Sequence, residues 1–266
     1  MRLIFIILLI YTLIALIPFS WVVLNSFKNN IEIFSNPFGF PKQFLFNNYT
    51  EAWVTGKLMQ YMINSFIIAI PITLGTLMVS SLAGYAFGRI NFWGDTLVFS
   101  IFLFGLMIPF EAIMIPLYFI LKGLGLLESY AGVIIPGIGG PFGIFLMRNF
   151  FRQIPLELSD SARIDGCGEF KIFLYIMLPL AKPALGALAI FSFMGSWNSF
   201  LFPYIVITND AKRPLQVGLL NFQQRFYIDY RLLFAAIVLS MIPVIFFYVL
   251  FHRQFIQGIA SGALKE

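Results

Sequence analysis

The chain has 266 residues, of which 60% are hydrophobic and only 11% are charged, and its mean hydropathy is +0.89. A water-soluble domain needs more charge on its surface, so the composition indicates a protein that lies largely in lipid. The net charge of +5 does not indicate a nucleic-acid partner, because no run of Lys or Arg is present. The single Cys167 and the single His252 exclude an internal disulfide and a Cys-rich metal site.

A helix that crosses a bilayer needs about 20 apolar residues. We therefore predict an all-α polytopic membrane protein with six transmembrane helices, at residues 3–24, 62–87, 96–121, 130–148, 180–208 and 232–251. A cleaved secretory signal is the alternative for the first segment. Its length and the lack of a small-x-small cleavage site favour a retained helix.

The segment between the first two spans, residues 25–61, is rich in Asn, Pro and aromatic residues. These favour turns over a long helix, so we expect a compact excursion outside the membrane. The second span ends with Ser80, Gly84 and Gly88, which recur every four residues and form one stripe along a helix. Such a stripe lets helices approach closely in lipid, and we interpret it as a packing surface.

Prolines interrupt the third and fourth predicted spans, at Pro109, Pro116, Pro136 and Pro141. Broken helices are tolerated at membrane depth only where protein or a water-filled cavity satisfies the freed carbonyls. This is typical both of a moving pathway and of ordinary structural kinks. Glu111 is the only acidic residue inside a predicted span, and we expect a gating or packing role for it near a hydrated outer end.

The most polar segment lies between the fourth and fifth spans, at residues 152–180, and is called the polar loop below. Pro155 suits the first turn of a short helix that ends before Gly166. A second, amphipathic helix is expected from Glu169 until Pro179 stops it. On these residues alone, an ordinary structured loop remains the alternative to a docking surface.

The polar loop also contains a spaced pattern. Asp160-Ser-Ala162 is followed after three residues by Gly166, and after nine more by Ile176-Met-Leu-Pro179. This pattern resembles the Glu-Ala-Ala loop of binding-protein-dependent ABC importers, with Asp for Glu and Ser for Ala. Further stretches resemble the carbohydrate-uptake branch of that family, and within it the maltose-type "G" permease, at residues 21–28, 47–49, 85–89, 115–118 and 197–200.

The resemblance implies the permease core of a type I ABC importer, with no catalytic residue and no metal or cofactor in this chain. It implies a second, unlike permease subunit, a separate ATPase dimer that holds ATP and Mg, an extracytoplasmic solute-binding protein, and a sugar, which we expect to be an oligosaccharide. The residues that it assigns to ATPase docking are Glu157, Asp160, Ser161, Ala162, Asp165, Gly166 and Pro179. No phosphate-binding loop is present in the sequence, which agrees with an ATPase on another chain.

Three further sets of residues receive roles from the resemblance. The family's C-terminal tail reaches between the ATPase subunits, and the matching residues are Ser261, Gly262 and Leu264, although the family's final Gly is Glu266 here. Residues 209–231 match a loop that enters the binding protein, with candidate contacts at Gln216, Asn221, Gln223 and Gln224. Sugars bind aromatic and amide side chains, and the pathway candidates, for which packing is the alternative, are Trp197, Asn198, Phe200 and Tyr204.

We divide the chain into residues 1–61, a permease core at 62–254 and a tail at 255–266. We expect both termini on the cytoplasmic side of a bacterial or archaeal membrane, although the 17 basic residues divide almost evenly between the two sides. The alternatives are a permease for another solute such as glycerol phosphate, a stand-alone secondary transporter that couples through Glu111, and a membrane enzyme. The last two lack support from an inverted repeat or from a cluster of His, Asp and Glu.

Overall fold

The computed structural model describes residues 2–224 and 227–263, and within them the regular secondary structure is helical except for one minimal strand pair. Strands β1 (Gln223–Gln224) and β2 (Tyr227–Ile228) are antiparallel. The helices in chain order are α1 (Arg2–Asn25), α2 (Asn30–Ser35), α3 (Asn47–Val54), α4 (Leu58–Arg89), α5 (Asp95–Gly105), α6 (Phe110–Gly123), α7 (Tyr130–Gly137), α8 (Pro141–Gln153), α9 (Glu157–Ile164), α10 (Glu169–Ile172), α11 (Leu178–Leu180), α12 (Lys182–Trp197), α13 (Leu201–Val206), α14 (Leu215–Gly218) and α15 (Tyr230–Ala263).

The described helices include four segments that are long and apolar enough to cross a membrane: Ile4–Asn25, Leu58–Arg89, Tyr130–Gln153 and Tyr230–Gln254. Two further pairs of helices are each bent at a short break, and counting each pair as one span raises the number of spans to six. Helices α5 and α6 meet at 97°, and the segment Glu169–Leu180 meets α12 at 77°. The protein is therefore a multi-pass helical membrane protein, and the all-α prediction is confirmed.

Two of the four predicted proline breaks are present, at Pro109 and Pro141, whereas Pro116 and Pro136 lie inside α6 and α7. Pro109 caps the start of α6 in an extended conformation, and Pro141 opens α8 directly after Gly140. Both positions suit a residue that has no N–H, because the first N–H groups of a helix have no intrahelical partner. Glu111 lies in the first turn of α6, just after the bend, and is exposed.

Pro179 was predicted to end the second helix of the polar loop, and the helical segment ends one residue later, at Leu180. Pro179 lies inside α11, directly after the π-helical turn Phe173–Met177. The wider turn makes bonds of the type Leu178 N–H to Phe173 carbonyl, so the helix continues although Pro179 cannot donate. The chain turns only at Ala181, before α12 begins.

The chain forms two compact units. The first contains Met1–Asn64 and Arg213–Ile245. In it, the Lys28 side chain is completely buried and donates to the Asn25 side chain at 3.1 Å and to the Asn36 carbonyl at 2.8 Å. The buried Asn48 amide donates to the Ser26 and Lys28 carbonyls at 2.9 and 3.0 Å. These bonds fold residues 26–48 into the compact excursion that the sequence predicted.

The second unit contains Ser65–Lys212 and Phe246–Glu266, and two hydrophobic clusters lie inside it. The first joins residues of α4, α8 and α12 to the polar loop, and includes Tyr85, Phe151, Ala162, Phe173 and Met177. The second joins α4, α6, α7 and α13. The small-residue stripe of α4 packs closely, as predicted, because a Cβ atom at Gly84 would clash with the backbone of α8.

Candidate functional site

Helix α9 of the polar loop has one buried face and one exposed face. Ser159 and Ala162 are 1% and 6% exposed, and Ala162 packs into the hydrophobic cluster that includes Tyr85 and Phe151. The opposite face carries the exposed side chains of Leu156, Glu157, Asp160, Ser161 and Ile164, and Ile164 is 87% exposed. The helix is thus anchored on one side and offers acidic and apolar groups to solvent on the other.

Gly166 ends α9 through a Schellman motif. It has φ +78°, its N–H bonds the Arg163 carbonyl at 3.0 Å, and the Cys167 N–H bonds the Ala162 carbonyl at 2.9 Å. A residue in the left-handed conformation at this position lets backbone N–H groups bond the free carbonyls of the last turn, and Gly adopts this conformation without a Cβ clash. Asp165 is the C-cap residue, and the second helix begins at Glu169 as predicted.

Three side chains tie α9 to the second helix and to the membrane-spanning α4. Arg163 donates to Glu169 at 2.8 Å and to Asp160 at 2.7 Å, and the bond to Glu169 raises the pKa of Arg163. The other oxygen of Glu169 accepts a 2.6 Å bond from the hydroxyl of Tyr85, which is buried in α4. We call Tyr85, Arg163 and Glu169 the linking triad.

Two arginines add further bonds to the same junction. The Arg89 guanidinium at the end of α4 donates to the Ile154 carbonyl, at the start of the polar loop. Arg148 donates to the Phe87 carbonyl at 3.1 Å and lies 3.8 Å from the centre of the Phe99 ring. The polar loop is therefore held to α4 by the Tyr85–Glu169 and Arg89–Ile154 bonds, while Arg148 joins α8 to α4.

The four predicted pathway residues lie in different environments. Trp197 is 1% exposed and packs against Phe66 and Phe193, with ring centroids 4.8 and 5.5 Å away, so the structure favours packing for this residue. Asn198 is exposed, and Phe200 stacks with Tyr204 at 5.6 Å. For these three residues, a contact with substrate stays a prediction.

A family model described as "Binding-protein-dependent transport system inner membrane component" matches residues 80–261 of this chain. This match includes the polar loop and most of the second unit. The chain belongs to this permease family.

Curated relatives match the permease over nearly its whole length. It is 34% identical to the diacetylchitobiose uptake system permease protein NgcG of Streptomyces coelicolor, over 97% of this chain and 87% of that protein. It is 36% identical to the arabinooligosaccharides transport system permease protein AraQ of Bacillus subtilis, over 96% and 92% of the two chains. A solved bacterial ABC transporter involved in the import of alginate matches with a TM-score of 0.82 at 26% identity, over 96% of this chain and 95% of that one.

The predicted binding-protein loop of the permease contains α14, two 3₁₀ turns and the strand pair. Gln216 is half-buried and Gln223 is exposed, whereas the Asn221 amide donates to the Tyr61 hydroxyl and accepts from Arg213 at 3.4 Å. Asn221 therefore holds the loop in place. Gln224 lies in strand β1.

Glu128 was not singled out from the sequence, although it organises an extramembrane junction. It has φ +58°, and its carboxylate accepts bonds from the Thr208 and Asn209 backbone N–H groups at 3.1 and 2.9 Å. Lys212 donates to its carbonyl at 2.8 Å. The hydrogen bond from the Thr208 hydroxyl contributes most to lowering the pKa of Glu128. A left-handed acidic residue between two spans leaves no clear signal in the sequence.

Two of the three tail residues, Ser261 and Gly262, lie in the last turns of α15, and Leu264 lies outside the described residues. Among the residues that the structure describes, no three His, Cys, Asp or Glu side chains are placed to hold a metal ion. The linking triad was also missed as a unit. Tyr85 belongs to a stretch with family resemblance, but only the fold brings it to Glu169.

Proposed function

We propose that this permease forms half of the translocation pathway of an ATP-driven, binding-protein-dependent importer of sugars, and of oligosaccharides in particular. Two relatives support this substrate class. They are permeases of uptake systems named for diacetylchitobiose and arabinooligosaccharides, and this chain matches both over nearly its whole length. A second, unlike permease completes the pathway. An extracytoplasmic solute-binding protein delivers the sugar.

The single observation that carries the coupling proposal is the two-sided character of α9. Its buried face joins a hydrophobic cluster shared with α4 and α8, while its outer face exposes Ile164 beside acidic side chains. A strongly exposed apolar side chain on an anchored helix is typical of a protein-binding surface. We infer that this surface docks on a cytoplasmic ATPase, which binds ATP and Mg, and that both termini lie on the same side of the membrane.

The linking triad gives the coupling a physical route. When the ATPase subunits close, they displace α9 as a rigid element, because Ala162 anchors it in the hydrophobic cluster and the Schellman motif fixes its C-terminal end. Arg163 and Glu169 then move with α9, and Glu169 is hydrogen-bonded to Tyr85 of α4. The permease responds by changing the side of the membrane to which its pathway opens. No group of this chain takes part in ATP hydrolysis.

The test is co-purification of the tagged permease from its own cells in mild detergent, with mass spectrometry of the partners. The informative variant is Ile164→Asp, because Ile164 is 87% exposed and its replacement leaves the core of this chain intact. Val54→Asp is a matched control on α3, since Val54 is 72% exposed and lies in the other unit. The double variant Asp160→Lys, Gly166→Pro is a second disruption of α9.

We expect a second permease and an ATPase to accompany the wild type and the Val54→Asp control. Ile164→Asp and the double variant should retain the second permease and lose the ATPase. If Ile164→Asp keeps the ATPase at the wild-type level, the docking surface is elsewhere. If the wild-type chain is isolated alone or as a homodimer, the importer proposal fails, and a secondary transporter that uses Glu111 becomes the better account.

A further inference from the structure

The compact excursion at residues 26–48, which we call the aromatic excursion, has polar groups inside and aromatic groups outside. Lys28 is completely buried, and the buried Glu32 carboxylate accepts a 2.7 Å bond from the Lys42 backbone N–H. Lys42 is the third charged residue of this fully described range and the only one that is exposed. Six large apolar side chains are exposed instead: Ile31, Phe34, Phe38, Phe40, Phe44 and Phe46. In water this arrangement is unfavourable, because apolar surface gains free energy by leaving water.

One turn of the aromatic excursion presents its two most exposed phenylalanines. Phe38 is 83% exposed and Phe40 is 77% exposed. Polar bonds hold the turn from inside, since the Lys28 ammonium donates to the Asn36 carbonyl at 2.8 Å and the Asn25 side-chain amide donates to the following carbonyl at 3.0 Å. The backbone that carries the two rings is therefore fixed to the end of α1, and their exposure is built into the fold.

Two ring contacts place the aromatic excursion at the border of the bilayer. Helix α1 has 24 residues and is about 36 Å long, against about 30 Å for the hydrocarbon core, so its C-terminal end lies at a membrane border. Trp21 lies one helical turn before that end, and its ring centroid is 6.4 Å from that of Phe38. The Phe34 ring meets Tyr230, the first residue of α15, edge to face at 5.2 Å. Trp and Tyr are enriched at this level of membrane proteins.

The charge of the aromatic excursion favours lipid over a protein as the partner. A segment that lies in a membrane interface exposes Phe or Leu to the acyl chains and basic groups to the lipid phosphates. The exposed Lys42 supplies a basic group, and within residues 26–48 the one carboxylate, that of Glu32, is turned inward. The surface of the excursion therefore carries no negative charge that would be repelled by phosphate, a restriction that a protein partner does not impose.

We propose that the aromatic excursion is a lipid-binding surface that lies in the headgroup layer of the leaflet in which α1 ends. The rings of Phe38 and Phe40 insert among the acyl chains, and the Lys42 ammonium lies beside lipid phosphate. The surface fixes the end of α1 and the start of α15 at the membrane border. It depends neither on the solute that the permease carries nor on the ATPase.

The first experiment measures the depth of single spin labels in the complete transporter, reconstituted without binding protein in vesicles of phosphatidylcholine and phosphatidylglycerol. Phe40→Cys is introduced together with Cys167→Ser, which removes the only native thiol. Ile14→Cys, in the middle of α1 and 61% exposed, is the lipid control. Ala211→Cys, exposed in the 3₁₀ turn Asp210–Lys212, is the aqueous control. Collisions of the label with oxygen report lipid, and collisions with a water-soluble nickel chelate report water.

We expect the ratio of oxygen to nickel collisions at position 40 to be at least tenfold higher than at position 211 and to approach the ratio at position 14. A ratio equal to that at position 211 overturns the proposal, because the side chain then faces water. Low collision rates with both reagents overturn it as well, because a protein partner then covers the surface.

The second experiment uses the wild-type chain, so it does not depend on the folding of a variant. A phosphatidylcholine with a diazirine on one acyl chain is photolysed in vesicles that contain the complete transporter, and the labelled peptides are identified by mass spectrometry. We expect the peptide with Phe38 and Phe40 to carry as much label as the peptides of α1, and at least tenfold more than the peptide with residues 209–212. Equal labelling of these last two peptides overturns the proposal.

Discussion

Replacing Tyr85 by Phe removes one hydroxyl from the linking triad and leaves the packing of the ring intact. The Tyr85 ring contacts Phe151 and Phe173, with centroids 5.8 and 5.3 Å away, and Phe preserves both contacts. A hydrogen bond to an ionised group contributes about 1.5–3 kcal/mol. The Glu169 side chain is 42% exposed, so water replaces part of the lost bond, and we expect Tyr85→Phe to cost about 1–2 kcal/mol.

Arg163→Gln is the informative comparison, because Arg163 forms two ion pairs and so has more polar partners than Tyr85. These pairs are exposed, with 38% of Arg163 and 61% of Asp160 accessible, and exposed pairs contribute only about 0.2–1 kcal/mol. The single buried hydroxyl should therefore matter more than the two visible salt bridges. Tyr175→Phe is the control, since Tyr175 is 72% exposed in the same loop.

The assay is equilibrium unfolding of the purified permease in mixed detergent micelles. Glu169→Gln and the double variant Tyr85→Phe, Glu169→Gln complete a double-mutant cycle, which measures the interaction free energy between the two side chains. We expect the cost of Tyr85→Phe to fall by at least half when Glu169 is already Gln. The reasoning is refuted if Arg163→Gln destabilises more than Tyr85→Phe, or if the two changes at 85 and 169 are additive. Stimulated ATP hydrolysis by the full transporter should fall in the same order.

Three further predictions concern single positions. Gly166→Ala should destabilise α9 by about 1–2 kcal/mol, because the left-handed conformation is unfavourable for Ala. No atom lies within 4 Å of the added Cβ, so a steric clash does not contribute. Gly125→Ala, at φ +69° and equally open, measures the same conformational cost outside the polar loop. Burial lowers the pKa of Lys28, and Lys28→Met should still destabilise the protein by about 1–3 kcal/mol in the same unfolding assay, since the Asn36 carbonyl loses its donor. The lowered pKa of Glu128 means that its ionised form stabilises the fold at neutral pH, and that this contribution is lost as the pH falls through the folded-state value. Wild type and Glu128→Gln should thus differ in stability at neutral pH and converge at acid pH; a constant difference across that range would contradict the assignment.

The local features of this permease were predictable because they depend on neighbouring residues. The length of an apolar run predicts a span because the bilayer has a fixed thickness. The prolines at 109 and 141 predict helix breaks because proline has no N–H to donate. Gly166 predicts a helix end through its conformational freedom. Pro179 predicts the end of the second helix to within one residue. The preceding π-turn, which allows the helix to continue, has no reliable signature in single residues.

The sequence by itself determined the class of the protein, the approximate spans and the helix-glycine-helix form of the polar loop. Only the tertiary structure decided which side chains meet, because those contacts join residues far apart in the chain. Tyr85 and Glu169 are separated by 84 positions, yet their bond links the polar loop to α4. On α12 Trp197 is buried in the core, whereas Ser192 and Ser196 of the same helix are only half-buried, since the partners that surround a helix decide which face is buried.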